Sequence, residues 1–179
     1  MEQHFEQIHG MYEEFARFLM RCGRLPMGST RVGFWGTTIL PEVHDFFRQI
    51  RLHEFEHVVD LGSGDGRVVL VASLFTNATG IEFDPYLVSV GNFIKGQLKH
   101  IPHLSRANLI QGNFFHHSLR DFDLVFINPD QPLDRGLEQK LFRELNGLLV
   151  VEGHHYHPTM FQKAGEVQIR GTPFSLYRR

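Results

Sequence analysis

HVVDLGSGDGRVVLVAS, residues 57–73, is the stretch whose reading decides the fold. An apolar run ends in Asp60. Gly62, Gly64 and Gly66 follow at alternate positions, and a second apolar run begins. The first run reads as a buried strand and the second as a helix. Glycines between them permit positive φ and leave no Cβ between the backbone and an approaching ligand. The helix that follows offers free N–H groups and the positive end of its dipole.

Outward from this loop the pattern alternates. ATGIEF reads as a strand, PYLVSVGNFIKGQLKH as a helix opened by Pro85, and ANLIQG as a strand. FDLVFIN is a strand, LDRGLEQKLFREL a helix and GLLVVEG a strand. Strands spaced by helices imply right-handed βαβ units and a mainly parallel sheet covered on both faces. The tail, EVQIRG then FSLYRR, is broken by Gly171, Thr172 and Pro173 and reads as a closing antiparallel hairpin. Upstream, Phe5, Ile8, Tyr12, Phe15, Leu19 and Cys22 recur at steps of three and four, one face of an amphipathic helix. A loop, RLPMGSTRVGFWG, follows it. Thr37 or Thr38 is then placed to cap a second helix, with Pro41 in its first turn. Residues 1–36 are expected to form a lid or substrate segment, and residues 37–179 the main domain.

The bulk numbers exclude more than they assign. The net charge of −2 leaves no global basic footprint for nucleic acid. One cysteine rules out an internal disulfide and fits a reducing compartment. No uncharged run is long enough for a membrane span, and MEQHFEQIHG does not read as a signal peptide. The expectation is a cytoplasmic protein that does not enter a membrane.

In a sheet of this kind, ligands bind at the carboxyl ends of the strands, where strand order reverses. The dinucleotide fingerprint G-x-G-x-x-G requires a third glycine where this chain has Arg67. The Gly-Lys-Ser/Thr of a P-loop is absent, so a pyrophosphate fits poorly. A ligand with a cationic amino-acid end fits better, its cation facing Asp60 and its carboxylate accepting from loop N–H groups. Glu82 ends the next strand, 22 residues after Asp60, and can hold both hydroxyls of a ribose. Asn113 has an amide oxygen able to accept from an exocyclic amine, and Phe83 or Phe114 could stack on the ring.

Together DLGSGDGRVVLVA, GIEFDP, QGNFF and FDLVFINPD resemble the motifs of class I S-adenosylmethionine-dependent methyltransferases, over about residues 56–152. The resemblance implies an α/β, three-layer Rossmann-like methyltransferase fold, with a mainly parallel seven-stranded sheet and an antiparallel C-terminal hairpin. It implies S-adenosyl-L-methionine as cofactor. Asp60, Gly62, Ser63, Gly64 and Gly66 would line its methionine end and Glu82 its ribose, with Asn113 and Phe114 near adenine. Asn128, Pro129 and Asp130 would face the methyl group. The chain departs from the family by carrying Asn113 where many members have Asp. More loosely, DLGSGDGRVVL with GIE resembles the Dot-type histone lysine methyltransferases and the small lysine methyltransferases acting on mitochondrial carrier and ATP-synthase proteins.

The expected acceptor is therefore a protein amine such as lysine. A neutral amine must form before attack, oriented by Asn128 and the Pro129 carbonyl, with Asp130 taking a proton or holding a cation. The alternative is a nucleic-acid base. Amino-group methyltransferases of that type carry N-P-P-[YF], whereas Asp130 and Gln131 hold the last two places here. The stacking ring would then have to come from Phe34, Trp35 or Tyr156. A non-catalytic cofactor-binding partner subunit is the third reading. Glu152 reads as structural at the rim of the fifth strand. The histidines, including His116, His117, His154, His155 and His157, have no spacing that completes a tetrahedral metal set, so no metal is expected.

Overall fold

The computed structural model describes residues 1–31, 33–130, 132, 135–154 and 157–179. Gln131, His155 and Tyr156, named above, lie outside them. Helix α1 spans Glu2–Arg21 and buries Phe5, Ile8, Tyr12 and Leu19 of the predicted stripe; Phe15 is half-buried, and Cys22 is exposed because the helix ends before it. A two-stranded ribbon follows, β1 (Gly28–Ser29) against β2 (Phe34–Trp35). Helix α2 spans Leu40–Gln49 with Pro41 in its first turn. Its N-cap is Ile39, without a side-chain cap bond, so neither Thr37 nor Thr38 caps it. Thr38 instead points its hydroxyl into the sheet's upper edge, where it has better partners.

The main sheet runs β3 (His57–Leu61), β4 (Asn77–Glu82), β5 (Ala107–Gln111), β6 (Leu124–Ile127), β7 (Leu148–Glu152), β8 (Gln162–Ile169) and β9 (Thr172–Arg178). Its spatial order is β5-β4-β3-β6-β7-β9-β8, parallel except for β9, which is antiparallel to both of its neighbours. β8 starts four residues before the predicted EVQIRG, and Thr172 and Pro173 sit within β9 rather than in the turn. Only Arg170 and Gly171 take positive φ there, so the turn is tighter than the breaker residues suggest.

Helix α3 is short, Arg67–Ala72, and SLF belongs to the turn beyond it. Helix α4 spans Pro85–Gln97 and is capped by Asp84, whose carboxylate accepts from Tyr86 N at 2.8 Å. Helix α5 spans Arg135–Glu144. One face of the sheet packs Val58, Phe126, Val150 and Phe174 against α1, α2, α3 and α4. The other packs Val59, Val125, Leu149 and Val151 against Leu137 and Leu141 of α5. Helix α1 shares the first of these cores with α2 and α3. The strand order reverses between β3 and β6, which places the crevice between the glycine loop after β3 and the segment after β6.

Candidate active site

Alternation along a strand fixes which residues share a face. Val58, Ala78, Phe126 and Val150 belong to the helix α1–α3 side. Two residues further on each strand stand Asp60, Gly80, Asn128 and Glu152, and Glu82 lies two beyond Gly80. The register aligns them: Asp60 pairs with Gly80 and with Phe126, and Phe126 with Val150. Four carboxyl-end side chains therefore rise on one side of one sheet, at the reversal point.

The glycine loop is anchored from below. Gly62 N and Ser63 N both donate to the Ile81 carbonyl, at 2.9 and 3.3 Å. Gly62 and Gly64 take positive φ, +74° and +55°, which an L side chain rarely adopts. A Cβ on Gly64 would come within 2.8 Å of the Trp35 ring, so the indole lies directly over the loop. A Cβ on Gly62 would meet nothing within 4 Å, which leaves open space above its backbone. Gly80 in β4 has the complementary role. A Cβ there would strike the Ser63 hydroxyl at 2.5 Å, so Ser63 packs inward against β4. Ser63 is buried and borders the smaller cavity.

Two cavities flank Gly62, Gly64 and Trp35. The larger, of about 490 Å³, is bordered by Leu61, Glu82, Phe83, Asn113, Phe114 and Phe115. The smaller, of about 330 Å³, is bordered by Thr38, Asp60, Arg67 and Phe126. Phe34, Asn128, Pro129 and Asp130 border both. The sequence-assigned residues thus gather around one crevice. Gly66 is the exception: a Cβ there would meet the Leu109 side chain at 2.8 Å, so it faces packing.

Glu82 is buried and bonded to two backbone amides, Gly64 N at 2.9 Å and Asp84 N at 2.8 Å. Each oxygen keeps a lone pair, so the carboxylate is fixed in orientation and still able to accept two hydroxyls. Asn113 turns its Oδ1 onto Phe115 N at 3.0 Å, capping the 3-10 turn Phe114–His116. Asp130 accepts from Phe34 N at 2.6 Å, which ties the ribbon to the segment after β6. Asn128 donates from Nδ2 to the Thr38 hydroxyl at 3.1 Å, and Thr38 donates in turn to Glu152 at 3.4 Å.

Charge is unevenly compensated here. Asp65 and Arg67 form a buried bidentate pair, Nη2 to Oδ2 at 2.6 Å and Nε to Oδ1 at 2.9 Å. The guanidinium also lies over the Tyr12 ring, 4.9 Å from its centroid. Asp60 has no donor to its carboxyl among the described residues. Burial raises its pKa well above the carboxylate range, and Glu152, Glu82 and Asp65 push the same way. Burial pushes Glu152 up to about 8, against the Thr38 hydrogen bond, and Glu42 adds to the rise. Sequence reasoning gives Glu152 only a structural part and Thr38 only that of a cap. Their partners are 114 and 90 residues away along the chain. Among the described residues no group of three or more His, Cys, Asp or Glu could hold a metal ion. His157 bonds the Tyr177 hydroxyl at 3.1 Å. Among the described residues no helix is long and apolar enough to cross a membrane.

No protein-family model and no curated protein sequence matches this chain. Solved structures share its fold. An RNA methyltransferase from Salinibacter ruber, in complex with S-adenosyl-L-homocysteine, superposes with a TM-score of 0.63 at 22% identity, over 79% of this chain and 92% of that one. A mutant of MtNAS, in complex with S-adenosylmethionine, gives 0.62 at 15% identity over 78% and 62%. The Pyrococcus abyssi tRNA (uracil-54, C5)-methyltransferase, in complex with S-adenosyl-L-homocysteine, gives 0.61 at 16% over 80% and 40%. The chain therefore spans less than two thirds of the last two. At these identities the likeness is one of architecture: the Rossmann-like methyltransferase fold, with its reversed last hairpin.

Proposed function

We propose that this chain is an S-adenosylmethionine-dependent methyltransferase acting on an amine, with a protein lysine as the acceptor. The observation that carries it is the gathering of Asp60, Glu82 and Asn128 on one side of the sheet, around the open backbone at Gly62. That donor set fits the cofactor. Asp60 would face its ammonium, Glu82 its ribose hydroxyls, and Phe83 and Phe114 its adenine. Asp60 lacks a partner for its carboxyl among the described residues, and a cation supplies one. The Gly62 backbone has the clearance that a close-lying ligand needs. When bound, the cofactor supplies an electrophilic methyl on a cationic sulfur.

The chain's own part is positioning and water exclusion. Trp35 and Phe34 roof the crevice. Asn128 keeps its Oδ1 for the acceptor nitrogen, because Thr38 already takes its Nδ2. The acceptor side carries Asp130, and the cation bordering the smaller cavity, Arg67, is held by Asp65. A mouth with aromatic rings and an anchored acid favours a cationic side chain over a polyanion.

A specific observation supports a second reading, an adenine amino group. Phe34 and Trp35 border the same cavity as Asn128 and Pro129, so a stacking ring stands beside the NPD segment after all. Residues 15–41 also carry four arginines and no acid. Incubation with labelled S-adenosylmethionine and cell extract tests both. Label removed by protease and resistant to ribonuclease and deoxyribonuclease supports the protein acceptor. Label removed by a nuclease alone assigns the base.

A further inference from the structure

The acids around the crevice outnumber the cations held among them. Asp60 on β3, Glu82 on β4, Asp65 in the glycine loop, Glu42 on α2 and Glu152 on β7 are all buried. Arg67 is the buried cation in their midst, and Asp65 takes it in a bidentate pair. Glu82 is stabilised by two amides. Glu42 accepts from the Thr172 hydroxyl of β9 at 2.5 Å. Asp60 has no donor among the described residues although it is 6% exposed and borders the smaller cavity. Glu152, equally buried, has only the 3.4 Å bond from Thr38. Two acids without a cation thus lie on the same side of the sheet, two strands apart, and Asn128 stands between them at the end of β6.

We propose that Glu152 is the charge-sensing partner of Asp60, so that a ligand's positive charge enters this crevice in exchange for a proton held by the two carboxyls. This rests on the methyltransferase reading and goes beyond it. The cofactor and the product after transfer both carry the ammonium that faces Asp60, but only the cofactor adds a cationic sulfur, so it brings one more positive charge to the two carboxyls. A carboxyl pair that ionises against the cation holds the cofactor and loosens its hold on the product. Thr38 sets the exchange, because its hydroxyl donates to Glu152 and favours the ionised form. It also accepts from Asn128, the residue expected beside the methyl group. The groups facing Glu152 are Thr38 from the loop before α2, Glu42 from α2 and Asp60 from β3. Burial and Glu42 hold Glu152 protonated near neutral pH in the free protein.

Calorimetry on the purified full chain tests this without an acceptor. S-adenosylmethionine and S-adenosylhomocysteine are titrated at neutral pH in phosphate and in Tris, whose ionisation enthalpies differ. The expected result is that the sulfonium ligand releases more protons than the thioether. The ratio of their affinities should rise from pH 6.5 to pH 9, by up to about tenfold per pH unit per proton exchanged. Glu152→Gln keeps the volume and the Thr38 contact, and should flatten that ratio across the range. Thr38→Val removes the hydroxyl that favours ionisation and should move the step to higher pH. Equal proton release by the two ligands overturns the proposal, as does a Glu152→Gln profile that follows the wild type. Failure of both ligands to bind overturns the methyltransferase reading itself, which separates the two failures.

Discussion

The Tyr12 hydroxyl donates to the Asp65 backbone carbonyl at 2.8 Å, joining the first helix to the glycine loop across 53 residues of chain. The same ring carries the Arg67 guanidinium on its face. Phe5 and Ile8 of that helix are buried in the same core. Tyr12→Phe leaves the Asp65 carbonyl short of a buried donor and should cost roughly 1–3 kcal/mol. Chemical denaturation measures it. Deleting residues 1–22 should abolish cooperative unfolding, since it strips one face of the larger core. A truncated chain that unfolds as sharply as the full one contradicts this.

Trp35 is the chain's single tryptophan and lies against Gly64. Its fluorescence should therefore change when S-adenosylmethionine fills the crevice, and a titration reads the affinity directly. Gly64→Val displaces the indole as well as obstructing the loop, so its fluorescence should shift before any ligand is added. Gly62→Ala is the cleaner probe of the ligand, since the new methyl meets open space. Positive φ costs it about 1–2 kcal/mol of stability, and cofactor affinity should fall further than that strain alone explains.

Asn128→Ala should lower the rate of methyl transfer while leaving cofactor affinity within about twofold. The lost hydrogen bond to the acceptor is worth roughly 0.5–1.5 kcal/mol, more if the nitrogen is misaligned. The test is single-turnover transfer set beside calorimetric binding. Equal losses in both place Asn128 on the cofactor instead.

The free protein should be more stable in mild acid than in mild base with respect to Glu152. Its folded-state pKa, about 8, lies above the ordinary value of 4.5. The stabilising contribution is therefore complete below about pH 4.5 and is lost as pH rises through 8. Glu152→Gln should melt higher than wild type at pH 9, by on the order of 5 °C for a chain of this size. Near pH 5 the difference should largely vanish. Thermal melts at the two pH values decide it.

The layering was legible because parallel strands buried on both faces read as unbroken apolar runs, and β3, β6 and β7 do so. The glycine loop was legible for a related reason: glycine at alternate positions has few uses other than positive φ and close approach. Local signals misled where a residue's partner is remote. Thr38 precedes a proline-led helix and reads as its cap. The structure turns it to Asn128 and Glu152, contacts that no local pattern encodes. Asn113 caps a 3-10 turn that is too short to leave a periodicity. Trp35 carries no motif, and its seat over Gly64 follows from how the ribbon folds back.

The shared face of Asp60, Glu82, Asn128 and Glu152 has a consequence for how this chain can change in length. Each acid or amide sits an even number of residues above an apolar anchor on its own strand. Inserting or deleting one residue within β7, between Val150 and Glu152, would turn the Glu152 side chain toward α5 without altering the composition. Conservative swaps among Val58, Phe126 and Val150 should be absorbed by repacking. Single-residue indels in these strands should therefore be tolerated far less than point substitutions, and a deep scan of both kinds of change would show the sheet keeping count in twos.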